Sequence, residues 1–275
     1  MKPISKTAFY CCGIRMEDAE RGRSVCRDTY AKLFMNDEGR RILGAFKDEI
    51  RAKASNVTRH RIIDDILRRK LSLDPLLLVV LVGAGFDSRA YRLQGGTWVE
   101  LDEPQVIVYK NDQLPSSDCP NRLHRIAIDF SAESIEERLA PFACQKRVVI
   151  VVEGVLLYLE QAQIRELFRC LRSTFPRHEL ICDLMNRKFF DRYARKTFEK
   201  IARLGATQRT VDRPEEIFRE NGYRLTDRIS ITVKSFQAME RSMDRRPHRA
   251  ILPFVARLLF PTAVTGYSIC EFELE

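Results

Sequence analysis

The sequence predicts an α/β fold in which helices cover both faces of a mostly parallel sheet. The first observation is an apolar run, Leu76–Val82, that breaks at Gly83-Ala84-Gly85 and then turns polar. A buried parallel strand that leads into a ligand-binding turn has this pattern. The second observation is that short apolar segments alternate with helix-like segments from this turn to about residue 186. Such alternation is typical of successive strand–helix–strand units.

The predicted strands after the first are short apolar segments at 97–101, 124–128, 148–152, 179–184, 223–233 and 267–274. Between the fourth and fifth strands, apolar residues recur along one helical face, at Ile164, Leu167, Phe168 and Leu171. This spacing predicts an amphipathic helix, which Pro176 ends.

The segment before the first strand is predicted to be helical. Its apolar residues recur at the spacing of a core-facing stripe, at Ile62, Ile63, Ile66 and Leu67. A second helical segment, rich in Arg and Lys, follows the fifth strand, where a lid is commonly inserted over a site. We therefore expect one domain that consists of a helical N-terminal cap, a core, a lid insertion and the rest of the core, with bounds at 1–72, 73–186, 187–212 and 213–275.

The composition suits a globular protein with one substantial core: 275 residues, 45% hydrophobic and 31% charged. Its eight cysteines and four histidines are dispersed, without the paired spacing of a zinc site or a redox dithiol. No apolar stretch is long enough to cross a bilayer, and no signal-peptide core follows the N-terminus. We expect a cytoplasmic protein with reduced thiols, no metal and no membrane partner.

The formal net charge is +9, and basic residues are locally dense in 59–70 and in 241–249. These segments are either solvated helix faces or surfaces that attract an anionic substrate or a nucleic acid. Because no aromatic-studded basic strand accompanies the charge, a nucleic acid partner is not expected.

A carboxylate follows the second predicted strand. The strand Trp98-Val99-Glu100-Leu101 ends at Asp102, about twenty residues after the glycine turn. A carboxylate at this place can accept hydrogen bonds from ribose hydroxyls. Glu100 is the alternative, because strand alternation sends it to the same side as Asp102. The turn and the carboxylate together predict a cofactor that contains adenosine.

The residues of the turn distinguish between cofactors. A dinucleotide-binding turn carries a third glycine that lets the next helix pack closely. This sequence has Ser88 at that position and Asp87 within the turn. Both disfavour NAD and favour S-adenosylmethionine, which has no pyrophosphate to place at a helix N-terminus. Its zwitterionic methionine end needs polar groups, and Asp87 is one candidate.

The segment Leu81–Leu93 resembles the signature of the leucine carboxyl methyltransferase family, which includes bacterial O-methyltransferases associated with polyketide biosynthesis. Other segments resemble the family's further motifs in the right order: Ser5–Ala8 with Arg15–Glu17, Arg27–Ala31, Arg59–Asp65, Glu100–Pro104 with Tyr109-Lys110, Ile128–Phe130 and Glu153–Leu159. The resemblance implies a Rossmann-like class I methyltransferase fold with a C-terminal antiparallel strand. It also implies S-adenosylmethionine as cofactor and S-adenosylhomocysteine as product.

On this resemblance, Gly83 and Gly85 let the backbone approach the cofactor, and Asp102 holds the ribose. Asp129 and Phe130 are implied to meet the adenine, with the carboxylate accepting from its exocyclic amine. The alternative for Asp129 is a helix N-cap.

The resemblance further implies that Arg59 pairs with the cofactor's carboxylate, which suits an arginine fork; Arg61 is the alternative. Lys6 is implied to reach over the cofactor, unless it lies in a mobile tail. Glu153 follows the fourth strand, at the sheet edge where ligands of open α/β sheets bind, so it is a candidate partner of the cofactor's ammonium. Tyr158 is a candidate to border the methyl acceptor. We take Glu153 and Tyr158 as the candidate catalytic residues.

Methyl transfer requires mainly that the acceptor atom is held about 3 Å from the methyl carbon. An acceptor carboxylate is already ionised near pH 7 and needs no base. An acceptor hydroxyl gains from a base, for which Glu153 and Asp191 are candidates. The basic residues of the lid favour an anionic acceptor, although a solvated helix face explains them as well: Arg187, Lys188, Arg192, Arg195 and Lys196.

The favoured function is therefore S-adenosylmethionine-dependent O-methylation of a carboxylate on a small molecule or peptide. The alternatives are methylation of a hydroxyl on a polyketide-like metabolite, non-catalytic binding of S-adenosylmethionine, and nicotinamide-dependent oxidoreduction. The sequence leaves open the oligomeric state and the identity of the acceptor.

Overall fold

A computed structural model describes residues 4–242 and 260–275 of the chain. Its strands are β1 (Leu78–Val82), β2 (Thr97–Asp102), β3 (Arg122–Ala127), β4 (Val148–Val152), β5 (His178–Met185), β6 (Tyr223–Ser230) and β7 (Tyr267–Leu274). They form one seven-stranded sheet in the order β3-β2-β1-β4-β5-β7-β6. The strands from β1 to β5 pair in parallel, and β7 runs antiparallel to both of its neighbours. The predicted parallel sheet with a C-terminal antiparallel strand is thus confirmed.

Helices precede, connect and follow the strands: α1 (Thr7–Ala19), α2 (Asp37–Gly44), α3 (Ile50–Leu73), α4 (Arg89–Arg92), α5 (Pro104–Gln113), α6 (Ile135–Leu139), α7 (Gln161–Thr174), α8 (Arg187–Phe189), α9 (Arg195–Arg203), α10 (Glu216–Glu220), α11 (Ile231–Ser242) and α12 (Pro261–Thr265). A π-helical turn, Phe190–Ala194, joins α8 to α9. We call residues 187–203 the lid.

The two faces of the sheet are covered by separate apolar cores, as predicted. In β1, Val79 and Leu81 belong to one core, and Leu78, Val80 and Val82 belong to the other. The first core includes apolar side chains of α1, α3 and the lid, whereas the second includes those of α6, α7 and α10. Strand alternation therefore sends successive side chains to opposite helical layers.

The N-terminal helices share their core with the strands. The apolar stripe of α3 is at most 5% exposed, at Ile62, Ile63, Ile66 and Leu67. Phe9 of α1 meets the ring of Phe86, which follows β1, with the ring centroids 4.9 Å apart. The helical cap is therefore packed directly against the loop that leaves the first strand.

The late strand β6 is shorter than the sequence predicts. It ends at Ser230 rather than at residue 233, and Ile231 begins α11. The hydroxyl of Ser230 accepts a hydrogen bond from the amide of Val233 at 3.3 Å, which is the geometry of a helix N-cap. Ile231 is fully buried. Capping and burial thus turn the apolar end of the predicted strand into the first turn of a helix.

The basic segment 59–70 divides between the interior and the surface. Arg59 is buried, whereas Arg61 and Arg68 are more exposed and each pair with Asp65 at 2.9 Å. Only one side of this helical segment is thus solvated, and its exposed basic residues are Arg68 and Arg69. The segment 241–249 lies outside the residues whose side chains the structure describes. All eight cysteines are free thiols. Among the described helices, none combines the length and the apolar character needed to cross a bilayer.

A buried carboxylate ties the β2–β3 edge of the sheet to α5. Glu100 is fully buried, with its Oε2 atom 2.7 Å from Lys110 Nζ and 3.0 Å from Arg125 Nε. Because Lys110 is also fully buried, water cannot take the place of the Glu100 carboxylate, and loss of this carboxylate would leave a buried charge uncompensated.

We expect Glu100→Gln to lower the free energy of unfolding by about 3 kcal/mol, because it leaves Lys110 and Arg125 without their buried counter-charge. The control is Glu273→Gln, which removes an exposed partner of Arg224 and should cost less than about 1 kcal/mol. Urea unfolding followed by circular dichroism measures both. Equal losses in the two variants would contradict a structural role for the buried group.

Candidate functional site

A large cavity opens at the carboxyl ends of β1, β2 and β4, with a volume of about 1740 Å³. The glycine turn after β1 and the loop after β4 line it, together with α1, α3, the lid and α11. Open α/β sheets bind ligands at this edge. A pocket for one small ligand usually has roughly 300–1,000 Å³. The cavity is therefore large enough for a cofactor and a second molecule.

Two glycines give the turn after β1 a backbone that other residues rarely adopt. Gly83 has φ of 69° and Gly85 has φ of 48°. A Cβ atom on Gly83 would lie 2.5 Å from Val155 Cγ2, so this backbone also lies close to the loop after β4. Both glycines line the cavity, as does Asp87. A ligand can thus approach the bare backbone of the turn.

Asp102 lies at the carboxyl end of β2 and lines the same cavity. Its Oδ2 atom accepts a hydrogen bond from the Gly85 amide at 2.6 Å, and its Oδ1 atom accepts one from the Glu103 amide at 2.7 Å. Burial raises the pKa of Asp102 to about 6. Glu100, the alternative from the sequence, does not line the cavity because Lys110 and Arg125 hold it within the protein.

Arg59 enters the cavity from α3 and joins three strands. Its Nε atom lies 2.9 Å from Glu153 Oε1, after β4. Its Nη1 atom lies 3.3 Å from Asp183 Oδ2 in β5 and 3.1 Å from the Tyr267 hydroxyl in β7. Arg61 instead pairs with an exposed aspartate and is not part of the cavity wall. The structure thus brings Arg59, and not Arg61, to Glu153.

A second buried guanidinium, Arg89 in α4, lies on the other side of Glu153. Its Nη1 atom is 2.8 Å from Glu153 Oε2, and its Nε atom is 2.7 Å from Asp64 Oδ1. The same side chain bonds to Asp87 and to the Nδ1 atom of His60. Burial alone would raise the pKa of Glu153, but Arg89 and Arg59 hold it well below the ordinary value. Glu153 is therefore permanently ionised at neutral pH.

Metal binding at this place faces an obstacle. His60, Asp87 and Glu153 offer ligand atoms within 4.8 Å of one another. However, Arg89 is bonded to all three of these side chains. Burial and the charge of Arg89 also lower the pKa of His60. The guanidinium thus already supplies the positive charge that a metal would bring.

The buried charges continue toward α1. Arg15 pairs with Asp28 at 2.8 Å and donates to the carbonyl of Phe86 at 2.7 Å. Asp28 in turn accepts from the Ser88 hydroxyl at 2.5 Å. Ser88 therefore stabilises the glycine turn through its hydrogen bond to the buried Asp28. The network joins five carboxylates to five guanidinium groups: Asp28, Asp64, Asp87, Glu153 and Asp183 with Arg15, Arg59, Arg68, Arg89 and Arg92.

The remaining residues predicted to bind the cofactor differ in whether they line the cavity. Phe130 lines the cavity and is 37% exposed. Asp129 does not line it; its Oδ1 atom accepts from the amide and hydroxyl of Ser131, and its carbonyl accepts from two amides of the following turn. Asp129 thus stabilises a turn after β3, but it is not the helix N-cap that the sequence left as an alternative, because the N-cap of α6 is Ser134. Lys6 pairs with Glu38 at 2.9 Å and does not line the cavity, although its neighbour Ser5 does.

The residues predicted to lie near the methyl acceptor also differ in whether they line the cavity. Tyr158 lines the cavity. The basic lid residues do not, and the expectation that they face the acceptor is wrong for this structure: Arg187, Lys188, Arg192, Arg195 and Lys196 are all exposed. Asp191, the alternative base, pairs with Arg195 at 2.6 Å on the outer face. The amphipathic lid turns its charges to solvent and its apolar side inward.

The sequence reasoning missed Arg89, Asp183 and Tyr267. Two of them carry a signal: Arg89 stands within the glycine-turn signature, and Asp183 is a lone carboxylate inside an apolar strand. Tyr267 carries none, because it lies 208 residues from its partner Arg59.

Comparison with known proteins identifies the family and the fold of this chain. The model of the family described as leucine carboxyl methyltransferase matches residues 12–172. Proteins of Mycobacterium bovis and Mycobacterium tuberculosis named "Putative S-adenosyl-L-methionine-dependent methyltransferase" are 28% identical to this chain. Each match covers 60% of this chain and 60% of the relative. The chain thus matches about three fifths of the length of these curated relatives.

Solved structures share the fold at low identity. A DUF574 family protein of Streptomyces avermitilis has a TM-score of 0.60 and 13% identity, and covers 95% of this chain and 100% of its own. Magnesium protoporphyrin IX methyltransferase of Synechocystis, solved with bound SAH, has a TM-score of 0.51 and 16% identity, and covers 92% and 98%. The fold is therefore Rossmann-like, of the methyltransferase type. Since the family match spans more than half of the chain, the chain belongs to the leucine carboxyl methyltransferase family.

Proposed function

We propose that the protein is an S-adenosylmethionine-dependent O-methyltransferase that methylates a carboxylate. The observation that carries this proposal is the juxtaposition of Arg59, Glu153 and Asp102 around the glycine turn, in one cavity. These groups match, in order, a carboxylate, an ammonium and ribose hydroxyls. The family and the names of the mycobacterial relatives support the same cofactor.

The residues fit the cofactor in shape and in charge. Gly83 and Gly85 present bare backbone, and both oxygens of Asp102 retain free lone pairs after accepting one amide each. S-adenosylmethionine, when bound, supplies a methyl group on a positively charged sulfur; the acceptor oxygen takes this methyl group, and the electron pair of the broken C–S bond stays on sulfur.

A carboxylate acceptor agrees with the state of Glu153 and Asp191, the two candidate bases predicted from the sequence. Glu153 is held ionised by two guanidinium groups, so taking a proton would break buried ion pairs. Asp191, the other candidate, lies on the outer face of the lid. A carboxylate is already ionised at neutral pH and needs only to be held in line with the leaving bond. The chain would then act by binding and orientation.

The first test is isothermal titration of the protein with S-adenosylmethionine, S-adenosylhomocysteine and NAD. We expect the two sulfur ligands to bind with micromolar dissociation constants and NAD not to bind. Turnover is then followed as label transferred from S-adenosylmethionine to carboxylic acids. Binding without transfer to any acid or alcohol would favour a non-catalytic protein, and preference for NAD would overturn the proposal.

The raised pKa of Asp102 predicts how cofactor binding depends on pH. Only its ionised form accepts from two ribose hydroxyls, so cofactor affinity is present above the pKa of about 6 and is lost as pH falls through it. The dissociation constant of S-adenosylhomocysteine should rise roughly fourfold between pH 7.5 and 5.5. Asp102→Asn should weaken binding about tenfold or more and flatten this dependence. The control Asp112→Asn, on the exposed side of α5, should keep the wild-type curve. If the dissociation constants of wild type and Asp102→Asn changed with pH in parallel, the role of Asp102 in holding the ribose would be contradicted.

Glu153 and Asp102 can be separated with two ligands. 5′-Methylthioadenosine has the ribose and adenine of the cofactor but lacks its amino acid end. We expect Glu153→Gln to weaken S-adenosylhomocysteine binding about tenfold more than it weakens 5′-methylthioadenosine binding. Asp102→Asn should weaken both. Glu160→Gln, an exposed control beyond the same strand, should change neither. If Glu153→Gln weakened both ligands equally, it would not face the amino acid end.

A further inference from the structure

The acceptor half of the cavity differs in character from the cofactor half. The lid residues that line it carry no charge: Phe189, Tyr193, Ala194, Thr197, Phe198 and Ile201. Leu157 and Met185 line the same cavity, and α11 adds Phe236. The lid thus contributes uncharged and largely apolar side chains to the cavity wall, although charged side chains of the N-terminal segment, such as Lys47, Arg51 and Lys53, also line the cavity. A ligand that lies against the lid must itself be largely apolar, because an unpaired charge there would lose its water without compensation.

Aromatic rings make up much of the lid's part of the cavity wall. The ring of Phe189 lies 5.2 Å from that of Tyr193 and 5.6 Å from that of Tyr267. Phe190 and Phe198 are 5.4 Å apart. These distances are those of interacting aromatic pairs, so the lid presents preorganised rings rather than mobile aliphatic chains.

Two phenol groups, Tyr10 and Tyr158, line the same cavity as the lid residues and Arg59. Tyr10 is only 5% exposed and packs on Phe46 with the ring centroids 4.2 Å apart. In the part of the chain that the structure describes, neither hydroxyl has a hydrogen-bond partner. Burial raises the pKa of both, so both remain donors at neutral pH.

We propose that the acceptor is a hydrophobic monocarboxylic acid whose carboxylate is held by Tyr10 and Tyr158 and whose body lies against the inner face of the lid. This inference rests on the proposed function and adds the substrate class. Tyr10 and the lid lie outside the family match of 12–172, whereas Arg59, Asp102 and Glu153 lie within it. Tyr158 also lies within it, so the proposed acceptor site combines residues from inside and outside the matched region. In the reaction the carboxylate oxygen bonds to the methyl carbon and forms a methyl ester, without any proton transfer.

The test is a binding titration of the protein saturated with S-adenosylhomocysteine, with 2-naphthylacetate, the uncharged 2-(2-naphthyl)ethanol and the polar dicarboxylate glutarate as probes. We expect 2-naphthylacetate to bind at least tenfold more tightly than either of the others. Tyr10→Phe should weaken its binding about tenfold, the loss of one hydrogen bond to a charged group. S-adenosylhomocysteine binding should stay unchanged in this variant, which separates acceptor recognition from cofactor binding.

A matched pair of lid variants tests which face meets the acceptor. Phe198→Glu places a charge on the inner face and should weaken 2-naphthylacetate binding at least tenfold. Lys196→Glu places a glutamate on the outer face of the lid instead and should leave 2-naphthylacetate binding unchanged. The substrate class would be overturned if glutarate or the alcohol bound as tightly as 2-naphthylacetate, or if no probe bound at millimolar concentration. A larger effect of Lys196→Glu than of Phe198→Glu would also overturn it. Failure of the wild type to bind S-adenosylhomocysteine would instead overturn the proposed function, so the two failures are distinguishable.

Discussion

The pairing of Glu153 with two buried guanidinium groups, Arg59 and Arg89, is the interaction on which the rest of the site depends. A carboxylate and two cations can leave water together only if their positions are fixed closely enough to compensate one another. Arg59 comes from α3, Arg89 from the helix after the glycine turn, and their further partners from β5 and β7. The network therefore fixes the N-terminal cap, the turn and the far side of the sheet relative to one another.

This constraint explains the division of the cavity into two halves. Close to the carboxyl ends of the strands, Arg59 and Glu153 are already paired, and a ligand that binds to them must replace or extend these ion pairs. A zwitterion can do this, because its carboxylate and ammonium match the guanidinium and carboxylate already present. Farther from the sheet the cavity wall is formed by the lid, whose charged residues face solvent and whose rings face inward. Polar recognition is thus confined to the sheet edge, and apolar recognition is confined to the lid.

The lid and Tyr10 lie outside the region that matches the family, whereas Arg59, Asp102, Glu153 and Tyr158 lie inside it. A rigid sheet edge with a variable cover is a common way for one fold to serve several substrates. The acceptor of this chain therefore cannot be transferred from a relative, and it is inferred here from the phenols and the aromatic lid.

The order and nature of the strands, the glycine turn and the carboxylate after β2 follow from sequence alone, because they rest on local periodicity and on residues a few positions apart. Strand boundaries shifted where capping decided the outcome, as at Ser230. The orientation of side chains needed the tertiary structure. Sequence could not tell that Arg59 enters the cavity while Arg61 leaves it, or that the basic residues of the lid face solvent. The reason is physical: burial and ion pairing depend on groups such as Arg89 and Tyr267, which are distant in the chain and meet only when the sheet is assembled.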